Sequence, residues 1–476
     1  MLQLETVPAS LAGLLWVFRS CFTAPSFATF GALVVGLVAQ SGRRTVCGML
    51  VGAGLSRVWH HSRAHWFFSH ARWSADVVGL ALLALVVDWL LPAGAPIVVA
   101  VDDTLFRRSG RRVAGAGWQH DGAAKGPRAN KISWGTCFVV AGILVELPFA
   151  ARPVCLPVLA RLSRPKAALT KQVIAAQLVT MITAAHPDRA VHVVADAWYA
   201  GTAGAAGAAR GGTRGRGWPQ RASLTSRLRV NAVLNAIATP IPGKGGRPRR
   251  IGARLGTPSD LATTARWIPA IVARYGRHDP VLIAEMTCLW YGAYRSRAMR
   301  VILVREPEHT TKTGYHLALI TTDLTNPAEQ LVARYAARWA IETAFHDARQ
   351  HTGVGQARNR TDRAVQRTVP FGLITHSLVI IWYARHGHHP NDATTRRHTQ
   401  PWYRTKTQPA YPDMIVKLRR TLIAARFLRG KPRQPTPEET LIIQHAANDN
   451  AAVAPGRPHW PRAGYRHVSV SGSGLT

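Results

Sequence analysis

The sequence predicts a mixed α/β fold, in which a central α/β core carries a β-rich insertion and is flanked by helical N- and C-terminal domains. Three observations predict it. Short apolar runs rich in β-branched residues, PIVVAVDDTLF and RAVHVVADAWYA, have the length and texture of buried strands. The segments before residue 96 and after residue 362 show longer apolar stretches with helical texture. Between residues 232 and 327, strand-like pieces cluster around a loop rich in Gly, Pro and Arg. With 476 residues, two to four domains are expected at roughly 100–200 residues each.

The elements follow in chain order. Residues 1–95 form the helical N-terminal domain, broken at Gln40–Arg44 and by the basic aromatic stretch WHHSRAHWFFSHARW, Trp59–Trp73. His60, His61, His65 and His70 lie in that stretch with no carboxylate or cysteine among them, so a wet helix face is expected rather than a metal site. Two apolar runs, Phe30–Ala39 and Val77–Val87, fall short of the roughly 20 residues a membrane span needs, and read as buried helices. The first part of the core, residues 96–231, opens with a strand ending at Asp102 and Asp103. A Gly- and Arg-rich loop to Lys131, a second strand (SWGTCFVVAGILV), a third over Arg152–Leu162, and a helix within Lys166–Ala185 follow. The next strand ends at Asp196, before a small Ala/Gly-rich helix and the strand LTSRLRVNAVL. After the insertion, a long helix opens at Asn326-Pro327 and runs to Gln350, so that residues 328–362 return to the core. Residues 363–446 are mainly helical, and the tail 447–476 is expected to be disordered.

Composition narrows the partners. Apolar residues make up 47% of the chain, which excludes wholesale disorder. Lys and Arg total 60 against 24 Asp and Glu, a formal charge of +36. So large an excess calls for a polyanion; nucleic acid is the first candidate and a membrane surface the second. Most of the cations are Arg, whose fork suits phosphate. Cys21, Cys47, Cys137, Cys155 and Cys288 are scattered without a Cys-x-x-Cys pair, as expected of reduced thiols in a cytoplasmic protein. The N-terminus, MLQLETVPAS, carries no leader pattern.

The few acids fall at informative places. Asp102 and Asp103 close one apolar strand, Asp196 closes another, and Glu342 lies in the basic helix LVARYAARWAIETAFHDARQ. Two divalent ions about 3.5–4 Å apart need hard oxygen ligands, and carboxylates from neighbouring strands and a packed helix supply them. Tyr335, Arg338, Glu342 and Arg349 sit at relative positions 0, 3, 7 and 14. On a continuous helix these fall at roughly 0°, −60°, −20° and −40°, one narrow stripe. A stripe of i,i+4 ion pairs on a solvated helix would show the same spacing.

These blocks resemble a known family. Tyr335-x-x-Arg338-x-x-x-Glu342, with Arg349 beyond, is similar to the Tyr-Arg-Glu-Lys signature of bacterial insertion-sequence transposases of the Asp-Asp-Glu, ribonuclease-H-like superfamily. Arg349 stands where the family usually has Lys. VDDT resembles the first-Asp strand and VVADAWY the second, so the resemblance covers about residues 96–362. It implies a ribonuclease-H-like mixed sheet and a metal-dependent strand transferase acting on double-stranded DNA, at element ends and at target. Mg²⁺ would be the cofactor, with Mn²⁺ able to substitute, and a homodimer would synapse two ends. Asp196, Glu342 and one of Asp102 and Asp103 would bind metal. The two neighbours point to opposite strand faces, and Asp103, directly before Thr104, is slightly preferred. Tyr335, Arg338 and Arg349 would hold the DNA backbone, and Trp339 would stack on a base. Trp290, His120, Asp121 and His346 are weaker candidates, expected in packing, a turn and a helix face. The basic runs Arg210–Arg221, Lys244–Arg254 and Arg429–Arg433 suit phosphate contacts that position without reading sequence. Two other classes remain: a non-catalytic DNA-binding protein derived from a transposase, and a membrane-surface protein. An intact acid set favours the enzyme.

Overall fold

Alternating burial on two faces organises the chain around one mixed sheet. The computed structural model describes residues 7–122, 124, 131–200, 218–238, 249–308 and 311–428. Twelve strands join: β1 (Ile97–Arg107), β2 (Gly117–His120), β3 (Ile132–Val145), β4 (Val154–Ser163), β5 (Val191–Ala195), β6 (Ala222–Arg227), β7 (Leu234–Asn235), β8 (Arg254–Gly256), β9 (Ile268–Arg274), β10 (Arg277–Leu289), β11 (Ala298–Arg305) and β12 (Leu317–Thr321). Their order is β2-β3-β1-β5-β6-β12-β11-β10-β7-β8, with β4 on β3 and β9 on β10. β1 runs antiparallel to β3 and parallel to β5, and β5 is parallel to β6. Strands β11 and β12 continue the same sheet, because β12 pairs antiparallel with β6. The β-rich segment 232–327 is therefore hydrogen-bonded into the core sheet.

Among the described residues the α-helices of seven residues or more are α1 (Ala9–Trp16), α2 (Ala24–Ala39), α3 (Val46–Gly52), α4 (Ser62–Ser69), α5 (Ala75–Leu90), α6 (Lys171–Ala185), α7 (Pro258–Thr264), α8 (Ala328–Ala337), α9 (Trp339–Gln350), α10 (Asp362–Trp382), α11 (Asp392–Thr399) and α12 (Tyr411–Leu428). The two faces of β1 bury against different helices. Val99 and Val101 enter a large core with Leu178 and Ile182 of α6 and Leu82 and Val86 of α5. Ala100 and Phe106 enter a smaller core with Ile341, Ala344, Phe345 and Ala348 of α9. The cause is the pleat, which sends successive side chains to opposite faces. A third cluster seats Leu331 and Val332 of α8 on Val272, Ile302 and Leu319 of the distal strands.

The segments at the two ends of the sequence share a core. Phe371 of α10 packs edge-on against Phe30 of α2 and Phe68 of α4, with ring centroids 5.9 and 5.3 Å apart. Ser377 of α10 donates to the Pro157 carbonyl on β4 at 2.8 Å. The stretch Asp362–Gly387 is long and apolar enough to cross a membrane, and 94% of its apolar window is buried inside the protein. Contact with helices on one side and the sheet on the other explains that composition.

Three local expectations are corrected. Asp102 and Asp103 do not end their strand; β1 continues to Arg107, held by β3 as far as the Arg107–Gly135 pair. The Gly- and Arg-rich loop contains β2. The helix over Asn326–Gln350 starts at Ala328 and is interrupted at Arg338, so α8 and α9 are separate. The Ala/Gly-rich piece after Ala200, the run Arg429–Arg433 and the tail lie outside the described residues, as does part of each of the other two basic runs.

Candidate active site

The parallel register of β1 and β5 creates the site. Val101 pairs with Ala195 on strands about 4.8 Å apart, so the next residues, Asp102 on β1 and Asp196 just past β5, are neighbours. Val194 and Ala100 both belong to the core under α9, so residues of the same parity, Asp102 and Asp196, are directed to that side. Asp196 lies just past β5, where the chain turns: its Oδ1 accepts the Trp198 N–H at 2.5 Å, and its carbonyl accepts from Ser226 Oγ at 2.8 Å. Glu342 reaches the same side because its neighbour Ile341 anchors α9 in that core.

Arg338, at the junction of α8 and α9, ties the acids together. Its Nη1 lies 3.1 Å from Asp102 Oδ2 and its Nη2 lies 2.9 Å from Glu342 Oε1. Burial pushes the Asp102 carboxyl up to about 7; the Arg338 charge opposes this, while the Asp103 and Asp196 charges reinforce it. An acid poised so high is held in a site that penalises its own charge.

Asp103 occupies the other face. Its Oδ2 meets Lys171 Nζ of α6 at 2.6 Å and Cys137 Sγ of β3 at 3.2 Å, and its Oδ1 accepts the Tyr199 hydroxyl at 2.8 Å. Burial, followed by the Asp103 charge, pushes the Cys137 thiol up to about 12 and the Tyr199 phenol well above its ordinary range. This geometry reverses the preference for Asp103: Asp102 is the neighbour that faces Asp196 and Glu342. Both faces of β1 are apolar, so the pattern VVAVDD carried no phase information.

A cavity of about 530 Å³ opens beside Asp196, walled by Arg227, Arg229, Asn231, Tyr335 and Arg338. Tyr335 packs its ring 5.9 Å from the Arg338 guanidinium, and burial raises its phenol pKa. Trp339 is 54% exposed. Arg349, expected at the DNA backbone, turns instead to β1. It donates to Thr104 Oγ1 and to the Leu105 carbonyl, with its guanidinium 5.2 Å from the Phe106 ring centre, so it tethers α9 to the strand. Sequence reasoning missed Arg227, Arg229 and Asn231. The available signal was basic residues at and just past the carboxyl end of β6, the strand next to β5, where open α/β sheets bind ligands.

The weaker candidates separate cleanly. Asp121 is buried and paired with Arg107 at 2.8 Å, and His346 is exposed beside Asp347. Trp290 is buried against Tyr294. His60 and His61 pack on each other at the surface, and His65 Nε2 lies 3.5 Å from Cys47 Sγ. All five cysteines are free. Among the described residues no cluster of three or more His, Cys, Asp or Glu is close enough to hold a metal ion. The donor chemistry of Asp102, Asp196 and Glu342 still fits a hard divalent ion. Two of these three acids share the Arg338 guanidinium.

A family model described as DDE superfamily endonuclease matches residues 17–285, more than half of the chain. The matched span contains Asp102, Asp103 and Asp196 and ends before Glu342. No curated protein shows significant similarity to the chain.

Proposed function

The chain belongs to the DDE superfamily endonucleases, and from that premise we propose that it is a transposase, which cuts the ends of a mobile DNA element and transfers the freed strands. The observation that carries the reading is the Val101–Ala195 pair, which brings Asp102 beside Asp196, with Asp102 joined to Glu342 through Arg338. The strand order β4-β3-β1-β5-β6, an antiparallel meander continued by two strands parallel to β1, supports a ribonuclease-H-like core.

Asp102, Asp196 and Glu342 would hold the divalent ions, Mg²⁺ or Mn²⁺. When bound, such ions activate an attacking oxygen and stabilise a leaving one. The protein's own share is positioning. Arg338 and Tyr335 would orient a backbone phosphate at the cavity mouth, and exposed Trp339 would support a base. The charge of +36 supplies the non-specific attraction to DNA. Sequence recognition is assigned to the helical region 1–95, whose surface carries exposed Trp16 and Trp66. A dimer would bring two ends together.

One observation favours a second reading, a DNA-binding protein without nuclease activity: Arg338 neutralises two of the three acids. The test is cleavage of an end-bearing duplex in Mg²⁺ or Mn²⁺. Asp196→Ala and Glu342→Ala should lose cleavage and keep DNA binding. Wild-type cleavage rates in both variants would remove the assignment, and binding with no cleavage by the wild type would favour the second reading.

A further inference from the structure

The cavity beside Asp196 has an unbalanced wall. Three arginines, Arg227, Arg229 and Arg338, line it, with Asp196 as the acid in its lining. Arg227 and Arg229 are exposed, and their side chains form no hydrogen bond or ion pair among the described residues. Arg338 is already engaged by Asp102 and Glu342. The volume of about 530 Å³ is in the range of small-ligand sites. Two forked cations that form no ion pair among the described residues, at a cavity wall, match a phosphate group. Asn231 adds an amide able to donate or accept.

We propose that this cavity seats one phosphodiester of a DNA strand, held by Arg227 and Arg229, and that its occupancy draws Arg338 away from Asp102 and Glu342. The physical reason is competition for a single guanidinium. Arg338 lines the cavity and bridges the two carboxylates at once, so a phosphate in the seat offers it a second anion. As the bridge loosens, the carboxylates become available to a divalent cation. Strand binding and cation binding then reinforce each other, and reciprocity requires each to tighten the other by the same factor. The coupling rests on the nuclease reading of the three acids, whereas the phosphate seat stands without it.

The experiment has two arms. In the first, binding of a short fluorescent DNA duplex is followed against salt for the wild type and for Arg227→Ala/Arg229→Ala. Both residues are exposed, so the variant should keep the wild-type melting temperature; Arg229→Gln alone serves as the second, milder variant. The double variant should bind at least about tenfold more weakly, with a log–log salt slope shallower by about 1, because the one lost phosphate contact removes about 0.9. Affinity and slope unchanged from wild type would overturn the seat. In the second arm, Mn²⁺ binding is read by electron paramagnetic resonance, with no turnover required. Duplex should tighten Mn²⁺ binding to the wild type about tenfold and leave the double variant unaffected, while Arg338→Ala should bind Mn²⁺ tightly without DNA. Mn²⁺ affinity indifferent to duplex would overturn the coupling even where the seat survives. Inorganic phosphate at millimolar concentration separates the sources: a seat for DNA backbone gives no comparable tightening with free phosphate, and equal tightening would make it a general anion site and overturn the assignment to DNA.

Discussion

On the α9 side of β1, Asp102 meets Arg338, which together with the nearby Asp196 lines an open cavity. On the α6 side, one residue later, Asp103 is enclosed by Lys171, Tyr199 and Cys137. Both are acids with hydrogen-bond partners, yet their partners differ in kind. Asp103 has a cation, Lys171, whose other partner, Cys137, also contacts Asp103, and the Tyr199 hydroxyl, so its network is closed. Asp102 shares its cation with Glu342, and that cation also borders the cavity, so its network is open to exchange. A closed network stabilises the packing of α6 and the Asp196 turn on β1; an open one can trade partners with a ligand.

The largest expected effect breaks the comparison on its reactive side. Asp102→Asn should lower cleavage by about 10³-fold or more, the scale on which groups acting as a unit fail, in a variant that still folds. Equal losses of cleavage in folded Asp102→Asn and Asp103→Asn would erase the distinction between the two acids. Next, Asp103→Ala should destabilise the fold by about 2–4 kcal/mol in urea unfolding, since it strands the partly buried Lys171 charge. Adding Lys171→Met should recover most of that loss; a double variant as unstable as the single would argue against the closed network.

The pH dependence sharpens the contrast. Asp102 is held at about 7, above its ordinary value of 3.8, so the folded state binds its proton more tightly than the unfolded chain does. Its contribution to stability is complete below about pH 4 and is lost as pH rises through about 7. In metal-free protein, Asp102→Asn should therefore gain on the wild type across that window, by about 1–3 kcal/mol in unfolding free energy. A pH-independent difference would show that Asp102 titrates normally. The smallest effect is Tyr199→Phe, which removes one hydroxyl from Asp103 and should cost about 1–2 kcal/mol with the pH profile unmoved.

Much of this was legible in the sequence. The strands β1, β3, β4 and β5 and the helix α6 lie where apolar runs and helical spacing predict them, and α9 carries its Glu where the helical stretch was expected. Other features were not legible, each for its own reason. The break at Arg338 follows no Pro or Gly, and is set by packing α8 on the distal strands and α9 on β1. The union of the distal strands with the core sheet depends on β12 pairing β6 from nearly a hundred residues away. Arg227 and Arg229 resemble any basic pair on a surface until the cavity forms around them.

The residues themselves determined the strands that carry Asp102, Asp103 and Asp196, the basic helix that carries Glu342, and the polyanion-seeking charge, because local propensity, periodicity and composition are written residue by residue. Only the tertiary structure decided which aspartate faces Glu342, that Arg338 bridges two acids, and that Arg349 serves the strand. Those outcomes depend on which helix covers which face of a sheet buried on both sides, and the parity of a strand has no meaning until that choice is made.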